Sequence, residues 1–265
     1  MKKSTIFLML FVVSLFTSCL PKQYIANDLY IPLNKEKHEL NVTLGGTPVL
    51  LRFNAQVGYT ITNHIGIFGA ALFRYDQTQM DYLTEEKDET DISVGKYGIK
   101  EINAGFNYFT SINKHNFELV CGGGYGKTNY ELDYYYKPMD KYLYNMKANK
   151  LSCYIQPDYS YTIGKHAEIG LFSRFLYSRY YDVSSSLEYN NTPIKPEEKY
   201  YLNRKTANLY FIEPGFLFRI TKKAIKFQLS YSRSQNVNDE LISYSKNRIK
   251  ITIIFDVKKL FKTNE

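Results

Sequence analysis

Val49-Leu50-Leu51-Arg52-Phe53-Asn54-Ala55-Gln56-Val57-Gly58-Tyr59-Thr60-Ile61 is the stretch that decides the fold of this chain. Side chains on an extended strand point alternately to opposite faces, and this run splits cleanly in two. Val49, Leu51, Phe53, Ala55, Val57, Tyr59 and Ile61 form one row, and Leu50, Arg52, Asn54, Gln56, Gly58 and Thr60 form the other. The run ends in the polar turn Thr62-Asn63-His64, and a second alternating run begins at Ile65. The same unit returns around Ile112-Asn113-Lys114-His115, Gly164-Lys165-His166 and Thr221-Lys222-Lys223, each time entered from an aromatic-rich strand. Hairpins repeated at so even a spacing predict a meander sheet that closes on itself.

Which row faces outward separates a soluble barrel from a membrane barrel. Alternation alone suits a lipocalin-like barrel with its apolar row inside. Three features favour the inverse arrangement. The polar rows carry charge deep within strands, at Arg52, Arg74, Glu101, Glu118, Asp158, Glu168, Arg174, Glu213 and Arg219. A closed lumen holding both signs can pair them, whereas an isolated buried charge is costly. The runs exceed the roughly nine to eleven residues that cross a bilayer when tilted. Connections also alternate between tight turns and long loops near 84–93, 133–149 and 184–203, as in outer-membrane barrels. Tryptophan is absent while the chain has 26 tyrosines, so Tyr and Phe have to make the interfacial girdles.

The reading is therefore an all-β chain forming a single antiparallel up-and-down transmembrane β-barrel of about ten strands. They are expected near 37–44, 48–61, 65–82, 95–110, 116–132, 150–162, 166–183, 204–220, 225–236 and 244–257, and dropping one at each end leaves eight. An even number puts both termini and the histidine-bearing turns on the periplasmic side.

The N-terminus reads as an export signal. Lys2 and Lys3 precede the apolar run Ile6 to Val13, and Ser14-Leu15-Phe16-Thr17-Ser18-Cys19 follows. That is a basic n-region, an apolar stretch too short to span a bilayer, and small residues before a cut. Residues 1–18 are expected to be the lipoprotein signal peptide and Cys19 the lipid attachment site; ordinary cleavage nearby, with Cys19 incidental, is the alternative. Segment 19–36 reads as a lipidated periplasmic linker, 37–258 as the barrel and 259–265 as a short polar tail. Basic residues exceed acidic ones by 34 to 26, spread along the chain without a basic helix or cluster, which excludes a nucleic-acid signature. Cys121 and Cys153 both fall on apolar rows; with Cys121 placed near a tight turn and Cys153 near an outer loop, no disulfide is expected.

A resemblance adds to this. Cys19, the linker Tyr30-Ile31-Pro32-Leu33-Asn34, the strand His38-Glu39-Leu40-Asn41-Val42 and the segment from Asn54 to Ile67 come in that order. They resemble the barrel-forming outer-membrane lipoproteins of the Bacteroidota. That resemblance implies residence in the outer membrane of a Gram-negative bacterium and no settled activity. The chain departs from the pattern in ending Phe261-Lys262-Thr263-Asn264-Glu265 and not on an aromatic, which leaves Phe255 as the candidate assembly signal.

No catalytic signature emerges, and the chain is read as non-enzymatic, with no cofactor and no metal. Cys121-Gly122-Gly123-Gly124-Tyr125-Gly126-Lys127-Thr128 resembles a phosphate-binding loop, but it lacks the first glycine and lies within a strand instead of before a helix. Such glycines serve bending or close packing against lumen side chains. His38, His64, His115 and His166 all belong to the tight-turn end. No histidine is left at the outer rim for acid–base or Ser-His chemistry. A metal ring from these histidines is the functional alternative; turn and interface roles follow from the hairpin repeat alone.

The lumen charges form either a salt-bridged plug or the lining of a narrow pore. Eight strands leave just enough room for side chains and wide channels need about sixteen, so a filled lumen is the expectation for ten. Tyr134, Tyr135, Tyr136, Tyr142, Tyr144, Tyr200 and Tyr201 concentrate in the outer loops. They suit binding of an unidentified protein or glycan, and equally an outer girdle. The leading expectation is a monomeric envelope-structural or surface-binding barrel whose standing partner is outer-membrane lipid. A narrow passive channel for small solutes comes second, and a rim enzyme acting on envelope substrates third.

Overall fold

The computed structural model describes residues 37–47, 51–83, 90–136, 140–189, 192–194, 206–237 and 247–262, with only the backbone described in parts of the long hairpins. The strands are β1 (Leu40–Thr47), β2 (Leu51–Thr60), β3 (Ile65–Leu83), β4 (Thr90–Ile112), β5 (His115–Tyr136) and β6 (Asp140–Ile163). They continue as β7 (Ala167–Tyr189), β8 (Thr192–Ile194), β9 (Thr206–Lys222), β10 (Ile225–Arg233), β11 (Gln235–Asn236) and β12 (Asn247–Asp256), followed by helix α1 (Val257–Lys262).

Ten of these strands form a closed antiparallel ring. β1 to β7 pair in sequence, β7 pairs with β9, β9 with β10, β10 with β12, and β12 returns to β1. The short β8 folds back on β7, and β11 prolongs the β10 side of the β9 ladder. Closure removes the two sheet edges, which matters because an unpaired backbone amide in hydrocarbon costs several kcal/mol. Asn41↔Asp256 and Leu40↔Tyr59 put both ends of the barrel at the level of the tight turns. Those turns are held by carbonyls of turn residues accepting amides from the neighbouring strand. His64 takes Phe109 N–H at 2.8 Å, Lys114 takes Thr162 at 2.9 Å and His166 takes Thr221 at 2.7 Å. Asn113, Gly164 and Lys223 occupy the left-handed region that such turns need.

The faces sort as the alternation requires. Phe53, Val57, Tyr59, Ile67, Phe73, Ile102, Phe106, Leu119, Ile155, Leu171, Phe216, Leu229 and Ile251 are all exposed on the outer wall, while Asn54, Gln56, Arg74, Glu101, Glu118, Gln156 and Glu213 are buried inside. This is the inside-polar distribution of a barrel whose wall faces lipid. The apolar band has two edges. At the turn edge His38 and His115 hydrogen-bond Tyr59 and Tyr159, both at 2.8 Å, and His64 stacks on Tyr108. At the other edge Tyr125, Tyr177 and Tyr231 donate to Asn149, Asn208 and Asn247 across adjacent strands. From Tyr161 to Leu151, β6 rises about 34 Å along itself, or about 26 Å along the axis at a tilt of about 40°, the height of an outer-membrane apolar band.

Three expectations are corrected. The stretch 133–149 is not a long loop, because β5 runs to Tyr136 and pairs it with Asp140 of β6. Likewise β4 starts at Thr90 and β7 runs to Tyr189, well into the expected loops. β-favouring, Tyr-rich chain keeps pairing well beyond the length that crosses a membrane. The first strand starts at Leu40, since His38 sits in the left-handed region, φ 59°. Cys121 and Cys153 are not at opposite levels: Cys121 faces Ile155 and Gly123 faces Cys153, so they are diagonal neighbours, and both are free thiols. Asp256 Oδ1 accepts the Lys259 amide at 3.1 Å and caps α1.

Ile155 lies midway down the band on the outer wall. Ile155→Arg is expected to cost about 2–4 kcal/mol of folding stability in vesicles, read by denaturant titration; an unchanged midpoint shows that this wall does not meet lipid.

Candidate functional site: the filled lumen

The inward rows of the ring meet in a continuous mass of side chains. Near the tight turns, Glu168 on β7 and Arg219 on β9 stand opposite each other in the ladder and form an ion pair at 3.3 Å. Glu168 also accepts from Ser160 Oγ and Asn116 Nδ2, and Arg219 gives Nε and Nη2 to Gln228 Oε1 at 3.1 and 2.6 Å. Close by, Lys226 binds Glu39 at 3.0 Å. Asn107 donates to Glu118, and Gln156 to both oxygens of Asp158.

Farther from the turns, Arg174 and Glu213 face each other across the same β7–β9 ladder, with Nε to Oε2 at 2.6 Å. The second Glu213 oxygen takes Ser234 Oγ at 2.6 Å and Arg248 at 3.3 Å. On the β4–β6 side Glu101 takes Lys150 at 2.9 Å and Ser152 at 3.2 Å. That pair spans a strand: Glu101, Gly126 and Lys150 stand in line across β4, β5 and β6. A Cβ on Gly126 would lie 3.1 Å from Glu101 Cβ, so the missing side chain is what lets the ion pair lie across β5. Gly122 serves the same way, since a Cβ there would meet the Tyr154 ring at 2.7 Å and the Phe68 ring at 3.0 Å. The glycine run of β5 is thus a trough under lumen side chains, and its likeness to a phosphate loop ends there.

Toward the long hairpins the filling changes character. Leu72, Tyr97, Ile99, Tyr130 and Met146 pack as one buried cluster and Ala148, Leu176, Tyr180, Leu209 and Phe211 as another, with Val183 touching both. Two cations tie this apolar layer to the charged one. Arg174 lies 5.5 Å over the Tyr154 ring and Arg74 5.7 Å over Tyr97, within cation–π range.

The structure places Arg74, Glu101, Glu118, Asp158, Glu168, Arg174, Glu213 and Arg219 inside the barrel and buried. Arg52 stands opposite Arg74 in the β2–β3 ladder, and its side chain lies outside the described residues. Tyr134, Tyr135 and Tyr136 fall on β5 and Tyr142 and Tyr144 on β6, where only the backbone is described; Tyr200, Tyr201 and Cys19 lie outside the described residues. Glu39, Lys150, Lys226 and Arg248 are further buried charges that sequence reasoning missed, and Lys250 and Asp256, on the polar row of the last strand, are buried as well. Their signal was available, because each shares the parity of the polar row on its own strand. His38 and His115 separate to individual tyrosines and His64 to a backbone carbonyl, its Nδ1 lying 3.1 Å from Phe109 O. Among the described residues no group of three His, Cys, Asp or Glu is arranged to hold a metal.

No protein-family model and no curated protein matches this chain. Among solved structures it is similar to CarO of Acinetobacter baumannii, with a TM-score of 0.33 at 9% identity, covering 84% of this chain and 99% of that one. It is also similar to OmpT, an outer membrane protein of Vibrio cholerae, with a TM-score of 0.25 at 8% identity, covering 82% and 95%. Likeness at these values decides nothing about role, and the fold stands on the closed strand pairing itself.

Burying a pair is weak evidence for stability, but removing one partner strands the other charge at about 3–5 kcal/mol. Glu213→Gln removes the counter-charge of both Arg174 and Arg248 and is expected to fall in that range by denaturant titration in vesicles. Lys96→Ala breaks a pair of similar geometry, 2.7 Å to Glu131, whose side chains are 39% and 41% exposed, and is expected to cost at most about 1 kcal/mol. Equal losses at the two sites would mean that water reaches the lumen charges.

Proposed function

We propose that this protein is a sealed, non-enzymatic outer-membrane barrel that serves as an envelope-structural or surface-binding platform. The observation that carries the reading is the burial of the inward rows. A side chain lining a conducting passage has to touch water, yet Val120, Gln156, Ser160, Ser178 and Glu213 are 0% exposed, and Arg174, Arg219 and Phe211 are 1% exposed. Among the described residues, a charged layer at one level and an aromatic and aliphatic layer at the next support a closed passage. No second copy is required to complete the sheet, which supports a monomer.

The platform is the set of long hairpins. Lys100, Lys127, Lys147 and Arg179 are exposed at or just beyond the far edge of the apolar band, and β4 to β7 continue past them to Thr90, Tyr136, Asp140 and Tyr189. Strands projecting well past the membrane edge on a rigid plug suit presentation of the Tyr-rich hairpins to a protein or glycan. The resemblance to barrel-forming lipoproteins supports lipidation at Cys19 after removal of 1–18, and the short turns at the end where the barrel starts and finishes support a periplasmic N-terminus.

Refolded protein in a planar bilayer is expected to give no single-channel steps, and stable steps that vanish or change size in Arg174→Ala would establish the narrow channel instead. On intact cells, cysteines placed within 137–144 are expected to label with an impermeant maleimide and one placed at His115 is not; the reverse pattern inverts the topology.

A further inference from the structure

The outer wall carries an electrostatic anomaly at its far edge. Lys100 on β4 and Lys127 on β5 are exact cross-strand partners, both on the outward rows and both exposed. Like charges placed directly opposite each other on a sheet face destabilise it. Lys147 on β6, also outward and exposed, is diagonal to Lys127, because Asn129 is its direct partner and Asn149 faces Lys127. Three exposed lysines therefore share one patch of three adjacent strands. None of them makes an ion pair among the described residues.

The neighbouring acids are engaged elsewhere. Glu131, the outward acid on β5 beyond Lys127, is taken by Lys96 at 2.7 Å. Asp182 on β7 accepts from Asn149 Nδ2 at 3.0 Å. Four residues away the same two strands show the ordinary solution, Lys96 directly opposite Glu131, so the like-charged pair is not imposed by the register. The next outward rung below the patch pairs Tyr125, which donates to Asn149 at 3.2 Å, with Ile102 at 63% exposure. The lysines thus stand at the height where a hydrocarbon band gives way to headgroups.

We propose that Lys100, Lys127 and Lys147 form a binding site for the phosphate of an anionic membrane lipid in the leaflet on the long-hairpin side. The phosphate supplies the counter-charge that the sheet withholds, the acyl chains lie along Ile102, Phe106 and Leu151, and Tyr125 marks the level of the glycerol or sugar backbone. The occupant is a lipid and not a free anion, because the exposed lysines adjoin an apolar wall at Ile102, Phe106 and Leu151.

The site rests on the barrel spanning a membrane, and the test separates the two. Full-length protein is refolded into phosphatidylcholine vesicles and into vesicles with one third phosphatidylglycerol, insertion being read by the gel mobility of unboiled samples. Denaturant titration then compares wild type with Lys127→Gln and, as a second exposed polar exchange, Lys100→Gln. In phosphatidylcholine each variant is expected to equal or exceed wild type, since repulsion is relieved. Phosphatidylglycerol is expected to raise the wild-type folding constant about fivefold more than that of either variant, the scale of one lysine at an anionic surface. Equal stabilisation of wild type and variants overturns the site while leaving the membrane barrel intact. The same gain from inorganic phosphate in phosphatidylcholine vesicles also overturns it, in favour of a free anion. Failure of wild type to insert in either vesicle overturns both readings.

Discussion

The ladder between β1 and β12 is the constraint on which everything else depends. Before those two strands meet, each presents a row of unpaired amides, and hydrocarbon offers no partner for them. Once Val42 pairs with Phe255 and Leu44 with Ile253, each of the ten ring strands has two neighbours and the inside is cut off from the outside. From that moment the polar rows have no access to bulk water through the wall. Their charges have to neutralise one another within a fixed cylinder, which accounts for the way acids and bases interleave around it.

The interior solves a volume problem as well as a charge problem. Ten strands enclose more room than the eight that side chains just fill, and the filling is correspondingly large: Arg174, Arg219, Tyr154, Phe68, Phe172 and Phe211. Long side chains reach across the ring only where the wall gives way beneath them. Gly122 and Gly126 provide that under Tyr154 and under the Glu101–Lys150 pair, and Gly215 under the Phe172 ring. Glycine in a strand ordinarily weakens it; here the loss is offset by packing that any larger residue would obstruct.

The architecture was legible in the chain because two-residue periodicity is unambiguous when one row meets lipid and the other does not. From Phe53 to Thr60 the exposed and buried faces follow the alternation for that reason. The apolar upper lumen was not legible: around Leu72-Phe73, Phe175-Leu176 and Phe211-Ile212 both rows are apolar, and alternation carries no sign. Strand ends on the long-hairpin side were hidden too, since above the band both faces meet water and the pattern that marks a strand fades. Lys150 and Arg248 escaped notice because a lysine or arginine near a strand's expected end looks like a solvated one. The level of Cys153 was misjudged for a related reason, because register between strands follows from hairpin geometry and not from either strand alone.

Arg174 and Glu213 are held by strands that also form the wall, as are most of the described groups that fill the lumen. Among the described residues the filling is therefore part of the wall itself. Pressure from the surrounding bilayer that would flatten an empty cylinder meets instead a cross-braced solid. The long hairpin strands rise directly from that braced wall, so what they carry is fixed to the same pairing that fills the lumen.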